Sequence, residues 1–89
     1  MSITIRRDDS LMVREVDGEL VVLDTSSNLV HQFNRTAALI WRLCAAASPP
    51  EAMADALVEA FDVERQTALR DVAETMAKLR SLNLLADAS

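Results

Sequence analysis

Two side chains in this sequence are of types that often perform chemistry near neutral pH: the single histidine, His31, and the single cysteine, Cys44. A catalytic histidine works beside a nucleophile or a second titratable group. His31 has no serine at a strained turn nearby and no second imidazole in the chain. Cys44 falls on the apolar face of a predicted helix, where a thiol behaves as a small apolar group. We therefore interpret His31 as a structural or partner-contacting residue and Cys44 as a core residue.

The remaining composition predicts no site for a metal or a phosphate group. One histidine and one cysteine give no spacing typical of zinc ligands, and the single glycine, Gly18, cannot build a glycine-rich phosphate loop. The carboxylates fall on helix faces opposite the apolar residues, and Glu74 and Lys78 have the spacing of a surface pair. The sequence therefore predicts a protein that is not an enzyme and uses no cofactor or metal.

The length and charge of the chain exclude further classes of protein. Its 89 residues suffice for one domain, residues 1–89, with a modest core. Fourteen acidic against nine basic residues leave a net charge of −5, a poor balance for neutralising phosphates. The N-terminus lacks the apolar region of a signal peptide, and no stretch approaches the roughly 20 apolar residues of a membrane span. We expect a cytoplasmic protein whose partners include no nucleic acid and no membrane.

Three strands are predicted in the first third of the chain. The apolar runs Leu11–Val16 and Leu20–Leu23 flank Asp17-Gly18, a strong signal for a two-residue hairpin turn. After a second polar turn, Leu29–Phe33 forms the third strand. If consecutive strands pair, the result is an antiparallel sheet with the first and third strands at its edges.

The remainder of the chain is rich in alanine and predicts three helices, over residues 35–46, 49–60 and 63–82. Asn34 is the predicted N-cap of the first helix. Ser48 and Glu51 have capping-box spacing, with a proline, Pro49, at the first helical position. Asp62 is the predicted cap of the third helix, and Asn83 is suited to the left-handed residue after its end.

Apolar residues recur on one face of each predicted helix. The expected core residues are Ala37, Ile40, Trp41 and Cys44, then Met53, Leu57, Val58 and Phe61, and finally Leu69, Val72, Ala73, Met76 and Leu79. The ordered core is expected over about residues 11–85, with 1–9 and 86–89 as loose ends. The predicted fold is α+β and winged-helix-like, with a three-stranded antiparallel sheet followed by three α-helices.

One functional hypothesis treats the second and third helices as a DNA-reading pair. The third helix carries both basic and acidic side chains, so its charge is nearly balanced, and the whole domain is acidic. A small winged-helix regulatory or DNA-associated protein is therefore the alternative function, because topology alone does not decide function.

A second hypothesis is peptide binding at the third strand. An edge strand offers unpaired N–H and C=O groups to an extended chain, so the candidate contacts are Leu29, Val30, His31, Gln32 and Phe33. The third helix would form one wall of the groove, through Gln66, Arg70, Ala73 and Ala77. In the competing interpretation, the chain's own N-terminus covers this edge, or the edge pairs in a homodimer.

The segment Leu29–Leu43 resembles the family of pyrroloquinoline quinone biosynthesis protein D (PqqD). In that family an apolar residue and an asparagine end a strand, and Thr-Ala and Ile-Trp follow; here they are Phe33-Asn34, Thr36-Ala37 and Ile40-Trp41. Phe61-Asp62-Val63 and the closing Leu82-Asn83-Leu84-Leu85 are also similar to the family pattern. The resemblance covers about residues 11–85.

This resemblance implies a recognition element for ribosomally made, post-translationally modified peptides. Such domains have no catalytic activity and bind the leader segment of a precursor peptide. They present it to a modifying enzyme, such as a radical S-adenosylmethionine enzyme, or to a leader protease and cyclase. The leader is expected to add as a strand to the third strand and to rest against the third helix.

Overall fold

The structure is a computed structural model that describes residues 3–6 and 9–87. The strands are β1 (Ile3–Ile5), β2 (Leu11–Val16), β3 (Glu19–Asp24), β4 (Leu29–Phe33) and β5 (Leu85–Asp87), and the helices are α1 (Arg35–Ala45), α2 (Pro50–Phe61) and α3 (Arg65–Ser81). An antiparallel sheet has the order β2-β3-β4, and the three helices follow it along the chain. The predicted α+β, winged-helix-like class is confirmed. None of the described helices is long and apolar enough to cross a membrane.

The hairpin between β2 and β3 forms as its turn residues predict. Asp17 and Gly18 both have positive φ, 53° and 82°, as a two-residue turn of this kind requires. The Nε of Arg35 donates a hydrogen bond of 3.1 Å to the carbonyl oxygen of Asp17. A Cβ atom on Gly18 would lie 3.2 Å from the same nitrogen, so glycine also gives this arginine room. The hairpin tip is thereby held at the start of α1.

The prediction of loose chain ends is wrong for the described part of both segments. β1 pairs antiparallel with β5, with Thr4 opposite Ala86. Ile5 is buried, and the N–H of Arg6 donates to the carbonyl oxygen of Leu84 at 2.8 Å. Strands of three residues carry too little periodicity to be distinguished from coil by sequence. The other residues of the predicted loose ends, apart from Asp9, lie outside the described residues.

The helix caps are partly as predicted. The side chain of Asn34 accepts a hydrogen bond of 2.9 Å from the N–H of Ala37, which confirms it as the N-cap of α1. The capping box before α2 does not form, and Pro49 is the N-cap, not the first helical residue. The N–H of Ser48 instead donates to the carbonyl oxygen of Leu43 at 2.9 Å, because Ser48 belongs to the turn that ends α1.

The junction between α2 and α3 also differs from the prediction. Asp62 does not cap α3; it is the left-handed residue after α2, with φ of 53°. Glu64 is the N-cap of α3 and makes no side-chain cap hydrogen bond. Asn83 has φ of 61°, and the N–H of Leu84 reaches back to the carbonyl oxygen of Leu79 at 2.9 Å. This confirms the predicted left-handed residue after α3.

The buried residues that the structure describes form a core between the inner face of the sheet and the helices. Its most completely buried members include Leu20, Val22, Phe33, Ile40, Trp41, Cys44, Met53, Leu57, Val72 and Leu79. The core prediction is wrong for three residues, Phe61, Leu69 and Ala73, which are exposed. Ala54 and Ala68 are buried instead. Alanine is common both in cores and on surfaces, so an alanine-rich helix leaves its rotation about its own axis poorly specified.

Candidate functional site

β4 lies at one edge of the three-stranded sheet. It pairs with β3, and no other described strand pairs with it. Two of its side chains are among the most exposed apolar groups of the described residues, with Leu29 53% and Val30 66% exposed. An exposed apolar edge strand is a template for pairing with another chain.

The hydrogen-bond pattern of β3 decides which of its residues bond to β4. The N–H of Thr25 donates to the carbonyl oxygen of Ser10 at 2.8 Å, so these opposed residues form a bonded pair between β2 and β3. Bonded pairs alternate along an antiparallel ladder. The odd-numbered residues of β3 therefore bond to β2, and its even-numbered residues bond to β4.

This alternation identifies the groups that β4 leaves open. Leu20 lies opposite Phe33, and Val22 lies opposite His31, so the odd-numbered residues of β4 use their backbone groups within the sheet. The N–H and C=O groups of Val30 and Gln32 consequently point to the free edge. An added strand would bond to these two residues.

The side chains of β4 alternate between the two faces of the sheet. Phe33 is buried, and His31 lies on the same face with its ring centroid 6.5 Å from that of Phe33. The Nε2 atom of His31 is buried and has no hydrogen-bond partner among the described residues. Val30 and Gln32 lie on the opposite, exposed face. His31 is thus a half-buried residue of the strand, and its interpretation as structural or partner-contacting stays a prediction.

A cavity of about 480 Å³ opens at the end of β4, where the strand passes into α1. Three elements and one helix cap line it: Gln32 and Phe33 of β4, the N-cap Asn34, Thr36 and Ala37 of α1, and Asp71, Glu74, Thr75 and Lys78 of α3. The floor is apolar at Phe33 and Ala37, whereas the α3 wall is polar and charged. The free edge of β4 therefore leads into a groove with a chemically mixed wall.

The charges on that wall are arranged unevenly. The Nζ of Lys78 lies over the ring of Phe33, 5.4 Å from its centroid, a distance at which a cation is attracted by the ring. Asp71 is half-buried and Glu74 is exposed, and neither forms an ion pair with a described residue. Two carboxylates therefore face the groove without a described cationic partner.

The structure brings only part of the predicted site together. Gln32 and Phe33 line the cavity, and the other three residues of β4 continue along the strand. Gln66, Arg70, Ala73 and Ala77 do not line it and are all exposed on α3. Ala68, Val72 and Leu79 are the buried residues of α3, so this helix turns Asp71, Glu74, Thr75 and Lys78 toward β4.

Sequence reasoning missed the residues of the α3 wall. Asp71, Thr75 and Lys78 recur at helical spacing beside the apolar residues Val72 and Leu79. That pattern shows a polar flank but not which neighbour it faces. The burial of Ala68 and the exposure of Ala73 fix the rotation of α3 about its axis and thereby turn this polar flank toward β4.

Cys44, the other candidate for chemistry, does not line the cavity. Cys44 is fully buried, and burial raises the pKa of its thiol above the ordinary value, which favours the inert protonated form. Among residues 3–6 and 9–87, no group of three His, Cys, Asp or Glu side chains is placed to hold a metal ion.

A polar network fixes the far end of β4. Asp24, opposite Leu29, accepts hydrogen bonds from the N–H of Ser26 at 3.0 Å and from its hydroxyl at 2.6 Å. It also forms an ion pair of 3.0 Å with Arg6. The hydrogen bonds from Ser26, aided by Arg6, lower the pKa of Asp24 to about 2 against the opposing effect of burial. Arg6 also donates to the carbonyl oxygen of Asn83 at 2.9 Å, which ties the turn before β4 to the end of α3.

Two solved structures resemble the whole chain. One, described as lasso peptide synthetase B1 complexed with the leader peptide, is 29% identical, with a TM-score of 0.83, and the match covers 98% of this chain and 100% of that one. The other, described as TbiB1 in complex with the TbiA(beta) leader peptide, is 24% identical, with a TM-score of 0.80 and coverage of 97% and 98%. The second likeness shows the fold alone. No curated protein sequence matches the chain.

The sequence also matches a family model. This model, described as Coenzyme PQQ synthesis protein D (PqqD), matches residues 19–85, which include β3, β4 and all three helices. The match and the 29%-identical structure do not favour the alternative of a DNA-associated regulator. The matched region contains the open strand and the cavity described above, and it confirms the resemblance found in the sequence. The chain belongs to the family of coenzyme PQQ synthesis protein D.

Proposed function

We propose that this protein binds the leader segment of a ribosomally made precursor peptide along the free edge of β4 and presents it to a modifying enzyme. The observation that carries the proposal is the open edge at Val30 and Gln32, which leads into the cavity beside α3. The description of the lasso peptide synthetase B1 structure as a leader-peptide complex supports it. The partner enzyme is of the radical S-adenosylmethionine class or is a leader protease acting with a cyclase.

The main chain alone supplies limited affinity. Val30 and Gln32 offer one N–H and one C=O each, and a net contribution of about 0.5–1.5 kcal/mol per hydrogen bond is typical. Ordering a flexible peptide costs about 2–5 kcal/mol, which offsets most of that gain. Side-chain contacts in the cavity must therefore supply the rest of the affinity and the choice of peptide.

The groove supplies binding groups and not a catalytic arrangement. Gln32, Asn34, Thr36 and Thr75 are neutral donors and acceptors suited to holding a peptide. We infer that bond-making on the precursor belongs to the partner enzyme. A peptide that the isolated protein binds should keep its mass when the two are incubated together. Cleavage or modification of that peptide by the isolated protein would contradict a purely binding role.

Selection from a displayed library of random 20-residue peptides tests the binding site. Wild-type protein should enrich peptides that bind in solution by fluorescence polarisation. Gln32→Pro replaces an outward N–H with the proline ring, which removes a hydrogen bond and obstructs the added strand, so it should weaken that binding more than tenfold. Gln32→Ala removes only a side chain that lines the cavity and keeps the N–H, so it should weaken binding clearly less. If circular dichroism shows that the Gln32→Pro variant is folded and it binds the peptide as tightly as wild type, the peptide binds at a different surface.

A homodimer that paired β4 with β4 of a second copy would use the same edge. Light scattering of the free protein and of the peptide complex separates these cases. The proposal expects one protein chain and one peptide in the complex. Free dimers that persist unchanged when peptide is bound would show that dimer and peptide use different surfaces, and the Gln32→Pro variant then shows which of the two uses β4.

A further inference from the structure

We infer that the cavity at the end of β4 selects a leader peptide by a lysine or arginine side chain, which Asp71 and Glu74 bind. The inference rests on the proposed function and adds the chemistry of the peptide that the groove accepts. It concerns one peptide position, next to the segment that pairs with Val30 and Gln32. Asp71 and Glu74 are then specificity-determining residues.

The position of the cavity along the strand decides which part of the peptide reaches it. The cavity is lined by the last residues of β4, Gln32 and Phe33, and by the following Asn34 and Thr36. A peptide strand that pairs with Val30 and Gln32 therefore passes the cavity at the Phe33 end. In an antiparallel arrangement this is the N-terminal end of the paired peptide segment. Side chains on the inner face of the added strand project toward α3.

The charged residues that line the cavity are two carboxylates, Asp71 and Glu74, and one ammonium group, Lys78, a net charge of −1 that favours a cation. Glu74 and Lys78 are four residues apart on α3, a spacing at which they could pair, yet the ammonium group lies over the Phe33 ring instead. Asp71 and Glu74, three residues apart on the same helix flank, then repel each other and have no described cationic partner. Because Asp71 is half-buried, solvent screens its attraction for a cation less than at a fully exposed site.

The shape of the cavity suits a long side chain in particular. Phe33 and Ala37 contribute apolar surface, with the Phe33 ring beneath the ammonium group of Lys78, and the carboxylates belong to the α3 side of the cavity. Lysine and arginine can lay their methylene groups on an apolar surface while their charged ends reach a polar rim. A short neutral side chain would leave the carboxylates unpaired, and an acidic one would meet two carboxylates against the single ammonium group of Lys78.

Parallel selections from the random 20-residue peptide library test this inference. Peptides enriched on wild-type protein should carry lysine or arginine at one fixed position relative to the paired segment. The same selection on the double variant Asp71→Lys, Glu74→Lys should replace that residue with aspartate or glutamate. Glu59→Gln, which removes an exposed carboxylate of α2 remote from the cavity, should leave the wild-type preference unchanged.

Affinity measurements give a second readout with smaller changes to the protein. For a lysine-containing selected peptide, the near-isosteric double variant Asp71→Asn, Glu74→Gln should weaken binding about tenfold, the effect of losing two partly exposed charge contacts. Replacing the peptide lysine with norleucine should remove that difference between the two proteins.

The outcomes separate this inference from the proposed function. Selected peptides that need the β4 edge, as judged with Gln32→Pro, but show no lysine or arginine preference would overturn the inference and leave the proposed function standing. A basic preference that survives in Asp71→Asn, Glu74→Gln would likewise overturn the role of these carboxylates. Peptides insensitive to Gln32→Pro would contradict the proposed function itself.

Discussion

The ring of Phe33, the last residue of β4, stacks on the indole of Trp41 in α1, with centroids 6.1 Å apart and an interplanar angle of 29°. Phe33 also forms part of the cavity floor and lies beneath the ammonium group of Lys78. One aromatic pair thus joins the hydrophobic core to the candidate binding groove. Changes in the core at this point should reach the groove through Phe33.

Trp41→Ala tests the structural part of this relationship. Trp41 is 5% exposed, and truncation of a buried aromatic residue typically costs about 3–5 kcal/mol. A small domain with about 5 kcal/mol of unfolding free energy would then retain only about 0–2 kcal/mol, so up to about half of the molecules would be unfolded without denaturant. Urea denaturation should show this loss, with a smaller loss for Trp41→Phe, which retains an aromatic ring. An unchanged unfolding midpoint for the alanine variant would show that Trp41 does not support the core.

Proline substitutions along β4 should separate binding from folding. Val30→Pro replaces an N–H that points to the free edge with the proline ring, which removes a hydrogen bond and obstructs the added strand. We therefore expect peptide affinity to fall more than tenfold while the fold survives. His31→Pro instead removes an N–H used between β4 and β3, so it should lower the free energy of unfolding.

The matched controls are Val30→Ala and His31→Ala, which keep the backbone donors. Circular dichroism measures the fold, and titration with a selected peptide measures binding. The hydrogen-bond assignment of β4 would be wrong if Val30→Pro unfolded the protein while His31→Pro left both stability and affinity intact.

A bulky residue on α3 should block the groove only on the wall that faces β4. Thr75 lines the cavity, so Thr75→Trp should fill it and weaken peptide binding at least tenfold. Ala77 is exposed on another part of the same helix, and Ala77→Trp should leave the affinity within about twofold of wild type. A larger loss of affinity for Ala77→Trp than for Thr75→Trp would show that the peptide binds the flank of α3 expected from sequence, which contains Ala77.

Asp24 should make stability depend on pH in acid. Its pKa is about 2 in the folded protein, below the ordinary value of 3.8, so the folded state favours the ionised form. The resulting stabilisation is fully present above about pH 4 and is lost as the pH falls toward 2. Asp24→Asn should flatten this part of the curve of unfolding free energy against pH, and Ser26→Ala should flatten it partly. Curves of identical slope for wild type and Asp24→Asn would rule out this contribution.

The local signals for turns and for one cap were strong enough to predict much of the fold. Asp17-Gly18 and Asn34 have side chains and backbone preferences that suit few other conformations. Signals that serve two purposes were less informative. Ser48 and Asp62 are both good N-cap types, yet the first lies in the turn that ends α1 and the second takes the left-handed position after α2. Tertiary packing decided between these uses.

The two sides of the candidate site were predictable to different degrees. The edge position of β4 follows from strand order, which the hairpin turn largely determines. The α3 wall depends on the rotation of a helix whose alanines fit either core or surface. Choosing Ala73 instead of Ala68 as a core residue rotated the predicted wall to Gln66, Arg70, Ala73 and Ala77 and away from Asp71 and Lys78.

Amide hydrogen exchange, resolved by residue in the free and peptide-bound protein, tests strand addition most directly. A peptide paired with β4 should slow exchange at Val30 and Gln32, whose N–H groups point to the free edge. His31, whose N–H bonds within the sheet, should be protected in both states and serves as the internal control. We predict new protection at Val30 and Gln32 on binding. If both amides exchanged as fast at saturating peptide as in the free protein, the peptide would not add as a strand to β4.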